Sequence, residues 1–142
     1  MNESLTLRRL RTFLLRLAAV LFVGSVVELV LANHSESPSQ LAAFALCGLG
    51  LLALVALWMR PGRRTVLALR IAMAVVAVGS LVGIGLHFWG NLELGRETQP
   101  NADATTLLVT ALTGGVPLLA PGILAVSATL AIAATYSAGD ET

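Results

Sequence analysis

The chain has 142 residues, enough for one domain of ordinary size. Hydrophobic residues make up 56% of it, charged residues 12%, and the mean hydropathy is +0.84. A soluble domain typically carries about 25% charged residues, so this supply excludes a surface covered by water and makes the bilayer the expected solvent. The formal net charge of +1 excludes the electrostatic footprint of a nucleic-acid binder.

The N-terminal segment is basic, with Arg8, Arg9, Arg11 and Arg16 before or at the start of an apolar run. Four stretches match the ~20 apolar residues that a helix needs to cross a bilayer core of ~30 Å. The first span is expected over about 13–32 and the second over about 41–59. The third is expected over about 66–89, and the fourth within about 114–136. Helix is the form that satisfies backbone hydrogen bonds in lipid without a closed barrel. The N-terminal run also has the layout of a secretory signal peptide, although Glu28, late in that run, is unusual for one.

Asn33 to Gln40 reads as a polar turn after the first span. Asn33-His34-Ser35 is formally a glycosylation acceptor, but it lies hard against a helix end and is read as chance. The second span carries no charge. Its lone cysteine, Cys47, cannot form an internal disulfide or a cysteine-based metal cage and is read as a packing residue. Arg60-Pro61-Gly62-Arg63-Arg64 closes that span with breaker residues. The arginines before the first span and those around the second connection put both on the cytoplasmic side. Four crossings then return the C-terminus to the same side. Trp58, Trp89 and Tyr136 fall at predicted span ends, where amphipathic rings belong.

Ionisable residues inside a span are expensive and draw a functional hypothesis by default. Glu28 lies five residues, about 7 Å, before Asn33, and His87 four residues, about 6 Å, before Asn91. Both helices run outward, so the two side chains stand at one level. Gly79, Gly83 and His87 share one helix face, and Gly24, Ser25, Glu28 and Ala32 share another. Small faces let helices approach closely. Packing these two together is expected to set Glu28 beside His87 as a proton-responsive or ligand-binding pair. Each residue can otherwise snorkel to the nearby outer water.

Beyond the third span come Asn91, Glu93 and Glu97. If the helix continues past Gly90, Glu93 and Glu97 share a face, as do His87 and Asn91. The set is a possible outer polar cluster. A solvated helix extension with an Arg96 ion pair is the plainer reading, and no metal-ligand motif is present. The fourth stretch, from Leu107 to Tyr136, would be about 45 Å long as one helix. Gly114, Gly115, Pro117, Pro121 and Gly122 interrupt it, so a kink or break near Pro117 and Pro121 is expected. A short outer surface helix over about 103–113 followed by a shorter span is one solution. A helix discontinuous at mid-depth, as in transporters, is the other.

The stretch His87 to Glu97, with Ala120-Pro121-Gly122, resembles a group of small uncharacterised bacterial four-span membrane proteins. The likeness covers the third and fourth spans only. It implies a membrane location and a helical fold, and it carries over no activity and no site residue. Small multidrug transporters hold their membrane glutamate deep in the first span, unlike Glu28. The nine basic residues are all Arg, and Ala, Leu and Gly are abundant, a composition of GC-rich bacterial genomes.

The expected architecture is therefore an all-α integral membrane four-helix bundle over residues 1–142, with both termini cytoplasmic, in a bacterial inner membrane. The expected role is that of a structural or accessory interaction protein, not an enzyme. Its partners would be lipid and other membrane subunits or a second copy, with no cofactor and no nucleic acid. A homo-oligomeric proton- or ion-coupled transporter or channel is the alternative. A membrane metal protein or enzyme comes third.

Overall fold

The computed structural model describes residues 3–115 and 119–136, with side chains over 5–115 and 121–136. Within them the chain is all helical. The elements are α1 (Glu3–Leu31), α2 (Pro38–Met59), α3 (Arg63–Thr98), α4 (Ala104–Thr113) and α5 (Leu119–Ala134). Helices α1, α2 and α3 are long and apolar enough to cross a membrane.

The helices run past the apolar windows read from sequence. Helix α1 already exists at Glu3, and α3 is 36 residues long, about 54 Å. Apolar length reports how much of a helix can sit in lipid. Helix length is set by where the backbone is capped or broken. Arg, Leu and Glu are good helix formers, so the charged flanks stay helical. The stretch from Gly90 to Thr98, read as a connection, is accordingly the end of α3.

The Ser37-Pro38-Ser39-Gln40 stretch also becomes helix start. Ser37 is the N-cap of α2, Pro38 takes the first turn, and Ser37 with Gln40 completes a capping box. The Gln40 side chain accepts from the Ser37 backbone N–H at 3.1 Å. Two otherwise unpaired backbone donors are satisfied within four residues.

Helices α1, α2, α3 and α5 form an up-and-down ring in which each packs on the next. Helix α1 meets α2 and α5, and α3 meets α2, α4 and α5. Helices α1 and α3 sit on the diagonal and do not pack on each other among the described residues. Short connections force sequence neighbours to lie side by side and antiparallel, which leaves the two parallel helices opposite one another. The bundle thus has an arginine end, with Arg60, Arg63 and Arg64 in the α2–α3 connection, and a histidine end, with His34 in the α1–α2 connection.

The interior is apolar and regularly spaced. Among the buried positions on α3, Val66, Leu69, Met73, Val76 and Ser80 alternate three and four apart, with Ala72 beside Met73, which is the repeat of knobs-into-holes packing. Helix α2 repeats the pattern with Cys47, Gly50, Leu54 and Leu57. The ring of Phe22, on α1, lies on the bare backbone of Gly50, and a Cβ added there would stand 2.5 Å from Phe22 Cζ. Cys47 is a free, buried thiol in this interior.

Candidate functional site

Every residue singled out from sequence at the outer end falls at the histidine end of the bundle, but the structure distributes them differently. The expected joining of the Gly79–Gly83–His87 face to the Gly24–Glu28 face does not occur. Gly79 faces Leu46 of α2, Gly83 faces Pro121 of α5, and nothing lies within 4 Å of a Cβ added at Gly24. Glu28 is exposed on the flank of α1. Adjacency fails because α1 and α3 are diagonal.

His87 instead faces His34. The two rings stand edge to face with centroids 6.2 Å apart, and both residues are half-buried. The backbone explains how His34 gets there. Asn33 sits in the left-handed region, at φ 49°. The His34 N–H reaches back to the Leu29 carbonyl at 2.9 Å, and the Asn33 N–H reaches the Val30 carbonyl at 3.1 Å. This is a Schellman ending to α1, and Asn is the residue other than Gly that best tolerates its left-handed position. The asparagine directly after the apolar run was the sequence signal for this turn. The sequence reading set a polar turn over Asn33 to Gln40 but gave His34 no place in the site.

The proposed outer polar cluster separates into three unlike residues. Asn91 points inward, 1% exposed, and its Nδ2 donates to the Ala111 carbonyl at 3.2 Å. That carbonyl lies in the last turn of α4, where no intrahelical donor is left. Glu93 accepts from Trp89 Nε1 at 2.9 Å, and Glu97 is exposed. The helix does extend past Gly90, as one reading required, but the expected ion pair with Arg96 is not formed among the described residues. Nor do three His, Cys, Asp or Glu side chains converge anywhere among them.

The fourth apolar stretch is broken, and the position of the break is informative. Helix α4 starts at the N-cap Asp103, whose side chain accepts from the Thr106 N–H at 2.7 Å. That backbone hydrogen bond holds the Asp103 carboxyl below its ordinary value. Helix α4 ends at Thr113, and α5 starts at Leu119. Gly114 is pressed between Asn91 and its own helix: a Cβ there would lie 2.7 Å from the Thr110 carbonyl oxygen and 2.8 Å from Asn91 Cγ. Gly115 is exposed. Pro117 lies outside the described residues.

Pro121 falls in the first turn of α5 and does not kink it. The N–H groups of a first turn have no intrahelical partner, so proline costs nothing there. Its carbonyl accepts a short hydrogen bond from the Ser80 hydroxyl. Gly122 continues the same turn with open space around it. Since Gly114 meets Asn91 and Pro121 meets Gly83, the break lies beside the Gly83–Asn91 segment of α3, which contains His87. It belongs to the end of the bundle and not to its middle.

Asn91 is thus a structural latch between α3 and α4. Asn91→Ala should cost roughly 1–3 kcal/mol through the carbonyl it leaves unpaired. The loss should be local: amide hydrogen exchange should accelerate in α4 while α2 and α5 keep their protection. Equal acceleration throughout the bundle would contradict a latch confined to α4.

No protein-family model, no curated protein and no solved structure matches this chain.

Proposed function

We propose that this chain is a four-span protein of a bacterial inner membrane, with both ends cytoplasmic, that acts through contact with other membrane proteins and not by transport or catalysis. The nature of the interior carries this reading. Among the described residues, the buried ones include Ser25, Ser80, Asn91, Ser127 and Thr135 but none that is charged. Most of these polar groups are already engaged: Ser80 holds Pro121, Asn91 holds α4, and the Ser127 hydroxyl donates to the Ile123 carbonyl. Ionisable groups inside a bundle mark proton-coupled paths, and the packed, apolar middle seen among the described residues argues against one.

The exposed flank of α1 supplies the complementary argument. Val20, Gly24, Val27, Glu28 and Leu31 are all exposed, and they share one side of the helix. A carboxylate on the lipid-facing side of a span is costly unless a partner supplies a donor, and the small Gly24 lets a second helix approach closely. A photo-crosslinking residue at position 24 is expected to trap a protein in native membranes, and Glu28→Gln to weaken that trapping at least threefold. Adducts to lipid alone would end this reading.

A second reading, a small proton-coupled transporter, is favoured by one observation: the half-buried His34–His87 contact beside the α4–α5 break. In proteoliposomes it requires a flux driven by a pH gradient that His87→Ala abolishes. Detection of such a flux would displace the first reading.

A further inference from the structure

The arginine end of α1 carries a feature that contact with other proteins does not explain. Arg8, Arg9, Thr12, Phe13 and Arg16 line one open groove of about 300 Å³. Residues 8, 12 and 16 form one row along the helix and residues 9 and 13 the adjacent row, so the three guanidinium groups flank a common strip of surface. All five residues are exposed, and Phe13 is 60% exposed. No acidic side chain lines the groove, and the only acidic residue of the sequence before Glu28 is Glu3. The Thr12 hydroxyl donates to the Arg8 carbonyl at 2.9 Å, which leaves recognition to the arginines.

Other arginines are differently placed. Arg70 is spent on the carbonyls of Thr135 and Tyr136 at the end of α5, and Arg60, Arg63 and Arg64 lie at the short α2–α3 connection. The first site stands on a continuous helix whose next turns are apolar. The arginine positions span about 12 Å along the helix axis, with the phenyl ring of Phe13 between them, and the aliphatic surface begins just beyond Arg16. That gradient, from charge to hydrocarbon within two turns, matches an amphiphile whose head is an anion. The planar guanidinium pairs well with phosphate oxygens. Clustered basic residues beside a span favour anionic lipid surfaces by about 1 kcal/mol each.

We propose that this groove seats the phosphate headgroup of an anionic phospholipid of the cytoplasmic leaflet, with Arg8, Arg9 and Arg16 as its donors and Phe13 against the upper acyl chain. The proposal rests on the membrane placement argued above, and the test separates the two. Flotation with vesicles of phosphatidylcholine alone, or mixed with phosphatidylglycerol, tests membrane placement; a chain that floats with neither overturns both readings.

For the chain that floats, native mass spectrometry in a nonionic detergent reads the groove. Phosphatidylglycerol should be retained at least tenfold over phosphatidylcholine of the same acyl chains. The preference should fall to within twofold in the Arg8→Gln/Arg9→Gln/Arg16→Gln variant and persist in Arg60→Gln/Arg63→Gln/Arg64→Gln, which loses the same positive charge at the arginine end. Arg16→Gln alone, with wild-type helicity by circular dichroism, should lose about half of the preference on a logarithmic scale. Equal losses in the two multiple variants would reduce the effect to net charge and overturn the site. So would an unchanged preference in the Arg8→Gln/Arg9→Gln/Arg16→Gln variant. Displacement of the lipid by millimolar inorganic phosphate would make this a site for a free anion and overturn the assignment to lipid.

Discussion

Gly50→Val is expected to force α1 and α2 apart. The Phe22 ring lies on Gly50, with Cζ, Cε1 and Cε2 all within 2.9 Å of where a Cβ would stand. Phe22 is 0% exposed, so the ring has no free space to swing into. Glycine normally weakens a helix by about 1 kcal/mol relative to alanine, and replacing it would by itself help α2. The steric term is larger. Overpacking a tight interior costs about 1–3 kcal/mol, and here three ring atoms are displaced at once. The check is an unfolding titration in mixed detergent micelles. Gly50→Val should destabilise by about 2 kcal/mol or more, and Phe22→Ala in the same chain should recover much of the loss. Strict additivity of the two changes would show that the ring and the glycine are not coupled.

Arg70→Ala should release the end of α5. The Arg70 Nη2 donates to the carbonyls of Thr135 and Tyr136, the latter at 2.9 Å, and Nε reaches the Thr135 hydroxyl at 3.5 Å. These carbonyls lie beyond the last intrahelical donor, and positive charge is favourable at a helix C-terminus. Hydrogen bonds from a charged donor contribute about 1.5–3 kcal/mol each. The expected loss, two bonds with some relaxation, is therefore roughly 2–4 kcal/mol. Arg70→Lys should recover only part of it, because an ammonium group retains the charge and lacks the planar fork. Thermal melts of the three chains in one detergent give the order. Full recovery by lysine would mean that charge alone matters and that the fork geometry is incidental.

Both predictions concern contacts between helices, and the sequence was least readable there. Arg70 entered the sequence reading only as one more arginine on the cytoplasmic side. Nothing in its neighbours along the chain announces that Thr135, 65 positions later, stands opposite it. Gly50 likewise sat among several glycines of an apolar run. Which of them receives an aromatic ring depends on the crossing of α1 and α2.

The error over Glu28 and His87 has the same origin. Depth along a helix follows from counting residues, because the rise per residue is fixed. Which helices touch is a property of ring order, and ring order made α1 and α3 diagonal. His87 therefore meets His34, which the Schellman turn at Asn33 swings inward, while Glu28 faces out.

By itself, the sequence determined the properties that depend on local composition and spacing. These are helical form, four apolar stretches of which three become helices long enough to cross a membrane, an interrupted final stretch, and the segregation of arginine. Each follows from hydropathy, backbone restriction or charge within a short window. The tertiary structure decided the rest. It placed the break beside Gly83–Asn91 and put Pro121 in a first turn where it does no harm. It turned Asn91 into a latch and assigned Arg70 to the end of α5. The reason is geometric: helix packing joins residues separated by tens of positions, and no local window contains both members of such a pair.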